Sequence, residues 1–123
     1  MIYSVQGKIQ EKETHYVVMD IHGLGLKILV SSGTYDKLPE VGVGVRLLTH
    51  FQVKEDSMSL YGFLEEKERN LFEALISISG IGPKSALGIL SLAPVEHLAA
   101  AIARGEKEIL QKSYGIGKRT AER

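Results

Sequence analysis

The chain has no cysteine, no apolar run of membrane length and no net charge, and only three prolines. Each shortage excludes something. Without cysteine there are no disulfides and no thiolate metal sites. No hydrophobic stretch approaches the ~20 residues of a membrane-spanning helix, so no membrane partner is expected. The opening Met1-Ile2-Tyr3-Ser4-Val5 lacks the basic stretch and long apolar segment of a secretory leader, which points to a cytoplasmic protein. Fifteen Lys and Arg balance fifteen Asp and Glu over 123 residues, so no global basic field announces nucleic acid. His15, His22, His50 and His97 are scattered without ligand-like spacing, and no metal or other cofactor is expected. Ser85 and Thr120 lack a nearby His-and-acid arrangement, so nucleophilic catalysis is not expected either.

What is present is a short phrase that occurs twice. Residues 80–85 read Gly80-Ile81-Gly82-Pro83-Lys84-Ser85, and residues 115–120 read Gly115-Ile116-Gly117-Lys118-Arg119-Thr120. Each copy follows an apolar stretch and leads into a segment that can be helical. Helix, Gly-Ile-Gly turn, basic residue, helix is the layout of a helix-hairpin-helix, a module that grips the sugar–phosphate backbone of DNA. The positive charge is focused at the second copy, where Lys112, Lys118, Arg119 and Arg123 face Glu122 alone within residues 111–123.

The chemistry of such a turn is direct. A loop that must admit another backbone needs residues without a Cβ, and glycine also accepts positive φ. The intervening Ile can tuck inward and anchor the hairpin. The following helix starts with unpaired N–H groups and the positive end of its dipole, which suit an anion. Pro83 sits near the first helical position, where its missing N–H is harmless. Lys84, Lys118 and Arg119 add charge beside the same spot, and Ser85 is placed either to bond a phosphate or to cap the helix. Nothing in the phrase reads a base edge, so the contact positions DNA without choosing sequence.

Other readings fit less well. A lone Gly-x-Gly is commonly just a tight turn between helices. A phosphate-binding P-loop fails at Gly117-Lys118, because Lys112 stands where its first glycine belongs and Arg119 replaces the required Ser or Thr. A dinucleotide fingerprint fails because Ser85 occupies the place of its third glycine. Two copies, each with a basic residue after the glycines, favour a pair of backbone clamps.

Residues 2–9, 16–21, 26–30, 45–53 and 60–63 read as strands, rich in β-branched and aromatic residues and separated by turn signals. His22-Gly23-Leu24-Gly25 looks like a hairpin connection, and residues 31–38, closed by Pro39, like one short helical turn. Five strands with a helical turn after the third suggest a five-stranded OB-type Greek-key barrel over residues 1–63. From Glu65 the spacing becomes helical. Leu71, Phe72, Leu75, Ile76 and Ile78 form an apolar stripe. Further helices are expected over residues 84–92, 94–103 and 106–112, with Pro94 starting one and Gly105 stopping it. Another begins near Lys118 and is cut off at Arg123, which suggests part of a longer protein. Residues 64–123 thus form an all-α domain carrying both helix-hairpin-helix motifs. Glu65-Glu66-Lys67-Glu68-Arg69 reads as exposed first turns, with Glu65 and Arg69 spaced for an i,i+4 pair. Lys54-Glu55-Asp56-Ser57 reads as a solvated polar turn between two strands.

Taken together, the opening strand phrase, Thr49-His50-Phe51 with Lys54-Glu55-Asp56, Leu60-Tyr61-Gly62-Phe63 and the two Gly-Ile-Gly phrases resemble the RuvA family across essentially the whole chain. That family is the Holliday-junction-binding subunit of the bacterial branch-migration machine. The resemblance implies a non-enzymatic protein acting in recombination, DNA repair and the SOS response. It implies a homotetramer, or two stacked as an octamer, with a basic face that holds four DNA arms open. By resemblance, Gly80, Gly82, Lys84, Ser85, Gly115, Gly117, Lys118, Arg119 and Arg123 bind DNA backbone. Glu55 and Asp56 form an acidic pin at the junction centre. The implied partners are four-way junction DNA, the RuvB motor ATPase and the RuvC resolvase. The family's small C-terminal motor-contacting domain has no counterpart in this sequence, so weak motor recruitment is expected. Tyr114 stands where the family commonly has Pro. Two rivals stay open: a helix-hairpin-helix targeting module of a repair nuclease or ligase, and a protein scaffold in which the turns merely pack helices.

Overall fold

The computed structural model describes residues 2–103. Five strands come first: β1 (Ser4–Glu13), β2 (Tyr16–Ile21), β3 (Leu24–Leu29), β4 (Gly44–Lys54) and β5 (Ser57–Phe63). A short helix, α1 (Ser32–Lys37), lies between β3 and β4. Three more helices follow: α2 (Glu66–Ile76), α3 (Pro83–Leu90) and α4 (Val95–Ala103). The strands close into a barrel in the order β1-β2-β3-β5-β4. All neighbours are antiparallel except β3 and β5, which pair in parallel at Ile28–Leu60 and Leu29–Tyr61. This is the OB-type barrel, with its helix after the third strand. The expected helices over residues 106–112 and from Lys118 lie outside the described residues.

The alternation of the strands explains the core. Val5 and Ile9 of β1, Val17 and Met19 of β2, Ile28 of β3, Leu47 of β4 and Leu60 of β5 point inward, with Val30 and Leu38 beside them. Burying each large aliphatic side chain contributes about 1.5–3 kcal/mol. Gly62 lies against this core. A Cβ there would lie 2.6 Å from Ile28 Cγ2 and 3.1 Å from Leu47 Cδ1, so a side chain at this position forces the core around Ile28 to shift.

The β2–β3 hairpin is tighter than its sequence suggests. Asp20 pairs with Gly25 and Ile21 with Leu24, so only His22 and Gly23 form the turn, both with positive φ (52° and 91°). Two positive φ values match the right-handed twist of the flanking strands. The Gly23 N–H donates to Asp20 Oδ1 at 2.8 Å.

Contacts divide the chain into a unit of residues 1–69 and a unit of residues 70–123. The first turn of α2 belongs to the barrel unit; Glu65, Glu66 and Lys67 are exposed as its composition suggests, but Glu68 is half-buried and Arg69 buried. Glu68 accepts from Thr34 Oγ1 at 2.6 Å and from Ser31 Oγ at 3.4 Å, at the start of α1. Burial pushes its carboxyl above the ordinary value, against the opposing pull of those hydroxyls and of Lys37. Arg69 is 6% exposed. Its guanidinium stacks 4.3 Å from the Tyr3 ring and donates to Tyr3 Oη at 3.2 Å. Its Nε and Nη1 are buried without a hydrogen-bond partner among the described residues. Glu65 reaches Lys37 at 3.8 Å instead of Arg69. Both ends of that pair are well exposed, so it contributes little.

Candidate nucleic-acid interface

The first Gly-Ile-Gly phrase joins α2 to α3. Helix α2 ends at Ile76, so of the expected apolar stripe only Ile78 lies beyond it, in the turn. The chain turns through residues 77–82. The Ser77 hydroxyl bonds the Ala74 carbonyl, and the Ile81 N–H donates to the Ile78 carbonyl at 3.1 Å. Gly80 adopts φ 90°, which strains any residue with a Cβ. Ile81 is 4% exposed and anchors the turn from inside, as the phrase predicts.

Gly82 is the N-cap of α3, with φ −88° and ψ 172°, a conformation open to any residue. A Cβ placed on it meets nothing within 4 Å. Neither backbone strain nor packing among the described residues therefore demands glycine here. A bare N-cap has two consequences. No side chain caps the helix, and an incoming backbone can approach closely. Pro83 occupies the first turn, and the first helical bond runs from the Ala86 N–H to the Gly82 carbonyl at 3.0 Å. The amides of Lys84 and Ser85 precede it, so they have no acceptor within the helix. Lys84 is exposed beside them. Ser85 sits in the third helical position and does not cap α3. The geometry can hold an anion by two backbone N–H groups, the helix dipole and an ammonium. Helix α3 runs from Pro83 to Leu90, shorter than expected, and α4 follows at a bend of 114°. No single helix among the described residues is long and apolar enough to cross a membrane.

Glu55 and Asp56 are the two loop residues of the β4–β5 hairpin, where Lys54 pairs with Ser57. Both are exposed, and neither has a positive φ. The turn therefore does not select for acids by conformation. Among the described residues, no third strand pairs with β4 beyond Thr49 or with β5 before Leu60, so the acidic tip ends a two-stranded ribbon. Thr49 marks its base, donating from Oγ1 to the Ile2 carbonyl at 2.7 Å. Gly115, Gly117, Lys118, Arg119 and Arg123 lie outside the described residues.

Residues 1–62 match the family model for the RuvA N terminal domain. The chain belongs to the RuvA family. Residues 72–123 match the model for a SAM-like helix-hairpin-helix tandem, which covers both Gly-Ile-Gly phrases. The chain is similar to a protein named Holliday junction branch migration complex subunit RuvA in Albidiferax ferrireducens, 47% identical over all of this chain and 65% of the relative. The subunit of the same name in Prosthecochloris aestuarii is 47% identical over 96% of this chain and 59% of the relative. That of Acidovorax ebreus is 49% identical over all of this chain and 65% of the relative. The chain thus spans about three fifths to two thirds of the length of these relatives. The sequence marks the acidic tip but not the exposed Val53 and Met58 beneath it. Their alternation alone gave no sign, because it continues the pattern of buried positions.

Proposed function

We propose that this chain binds the backbone of four-way (Holliday) junction DNA, as the DNA-holding subunit of a branch-migration complex in recombination and repair. The observation that carries this reading is the start of α3. There a glycine N-cap with open space above it, two amides without helical acceptors and an exposed lysine converge. Membership of the RuvA family supports the choice of a junction over other nucleic acids.

In this reading Gly80, Gly82, Lys84 and Ser85 hold one stretch of phosphates. Gly115, Gly117, Lys118, Arg119 and Arg123 hold a second. The helical domain of residues 64–123 grips DNA, and the barrel domain of residues 1–63 presents Glu55 and Asp56 to the crossover. A homotetramer gathers four such tips at the centre, where carboxylates and phosphates repel at short range. Continuous duplex crossing the centre is disfavoured, and open arms are tolerated. ATP hydrolysis belongs to the RuvB partner of the complex, which works in the cytoplasm. Clamps without base readout predict weak sequence dependence, with affinity falling steeply as salt rises.

The test is competition in a gel shift. A labelled four-way junction is bound by the chain at moderate salt, and excess linear duplex of the same sequence is added. Survival of the junction complex supports the reading. Equal competition by duplex leaves a backbone-binding helix-hairpin-helix module without junction selectivity.

A further inference from the structure

The ribbon that carries the acidic tip has two unlike faces. Leu47, Thr49 and Phe51 on β4 and Leu60 and Gly62 on β5 line the barrel side, and the same alternation continues outward to Val53 and Met58. These two are directly paired across the hairpin. At that level neither β1 nor β3 pairs with the ribbon, and no strand among the described residues covers the two. Val53 is 56% and Met58 71% exposed. The opposite face carries Gln52 and Lys54 paired with Ser59 and Ser57, all polar. Glu55 and Asp56 close the end.

We propose that Val53 and Met58 form an apolar wedge that contacts a nucleobase unstacked at the junction crossover. This rests on the reading of the chain as a junction binder. The charge pattern selects the occupant. The two carboxylates just above the pair repel phosphate, so the part of a DNA strand that can lie against this face is a base. Lys54, on the other face, is free to take the phosphate that the tip rejects. Apolar side chains, methionine among them, insert between base steps in proteins that open or kink DNA. A protein partner fits poorly. Two side chains offer far less than the ~1,000 Å² that a stable protein interface needs. The wedge adds to the tip a feature that repulsion lacks: a favourable surface for the base that leaves its stack.

The test uses a four-way junction with 2-aminopurine at the branch point, whose fluorescence rises when the base unstacks. The junction is saturated with the chain or with the double variant Val53→Thr, Met58→Gln, which keeps the β-branched shape and the side-chain length. A Met58→Leu variant preserves the apolar surface. The wild type and Met58→Leu are expected to raise the fluorescence alike. The double variant should give an increase about fourfold smaller, the scale of one buried methylene lost from the contact, while the junction still shifts in a gel. An equal rise for the double variant, with binding intact, overturns the wedge and leaves the junction reading standing. Failure of the wild type to bind the junction overturns both.

Discussion

In the function proposed above, two turns in this molecule do opposite things to a phosphate. The α2–α3 turn at Gly80–Lys84 strips away side chains, exposes amides and adds an ammonium. The β4–β5 turn at Glu55–Asp56 keeps its side chains and makes both of them anionic. The first depends on backbone conformation, because Gly80 lies at φ 90°. The second does not, because neither residue has a positive φ. On the proposed reading, the contrast separates affinity from selectivity. A surface made only of turns of the first kind holds any duplex. A tip of the second kind makes binding depend on the shape of the DNA.

The sharpest way to break the contrast is to give both turns the same residue. Gly80→Val should destabilise the helical unit by about 1–3 kcal/mol through backbone strain, with DNA binding falling alongside. Glu55→Val should change stability by no more than about 0.5 kcal/mol, as expected for an exposed site without special geometry. Thermal melts of the two variants, side by side, check this. Equal losses mean that the turns do not differ in backbone demand.

Neutralising the tip comes next. Glu55→Gln with Asp56→Asn should raise affinity for linear duplex by about tenfold at low salt, and the gain should shrink once the Debye length falls below ~10 Å. Titrations of duplex and junction at several salt concentrations read this out. A gain confined to the junction contradicts the repulsive role. Lys84→Ala is the converse change and a smaller one. It should weaken duplex and junction alike, and lower the slope of log K against log salt by about 0.9, one phosphate contact. An unchanged slope removes Lys84 from the interface.

The smallest effect concerns Glu68, which anchors the first turn of α2 to α1. Burial raises its carboxyl above the ordinary value of 4.5, so in the window above 4.5 the folded chain holds more proton than the unfolded one. Stability from this site is therefore greatest below 4.5 and declines as pH climbs through the raised folded value. In denaturant titrations from pH 4 to pH 7, the wild type should lose stability relative to Glu68→Gln. A difference that is flat with pH indicates that the carboxyl is not perturbed in the folded chain.

Much of this was legible along the chain, and the exceptions share a cause. The five strands, the helix after the third and the Gly-Ile-Gly turn each follow from residues close in sequence. Alternation, a Ser31 cap, Pro83 at a helix start and Gly80 at a positive φ act within a few positions. The sequence places the hairpin at His22-Gly23 correctly but makes its loop two residues too long, because strand pairing claims Leu24 and Gly25. Arg69 looked like half of an exposed helix pair. It is buried because Tyr3, 66 positions earlier, lies against it.

The sequence by itself determined where this chain turns and which turns could meet a phosphate, because cap, glycine and proline preferences are local. Only the tertiary structure decided which apolar residues are core. Leu60 and Met58 follow the same alternation on the same face of β5, yet Leu60 is buried and Met58 is 71% exposed. The difference is that β3 pairs with β5 at Leu60 and goes no further. A strand's periodicity names a face, but the reach of its neighbours decides how much of that face is covered.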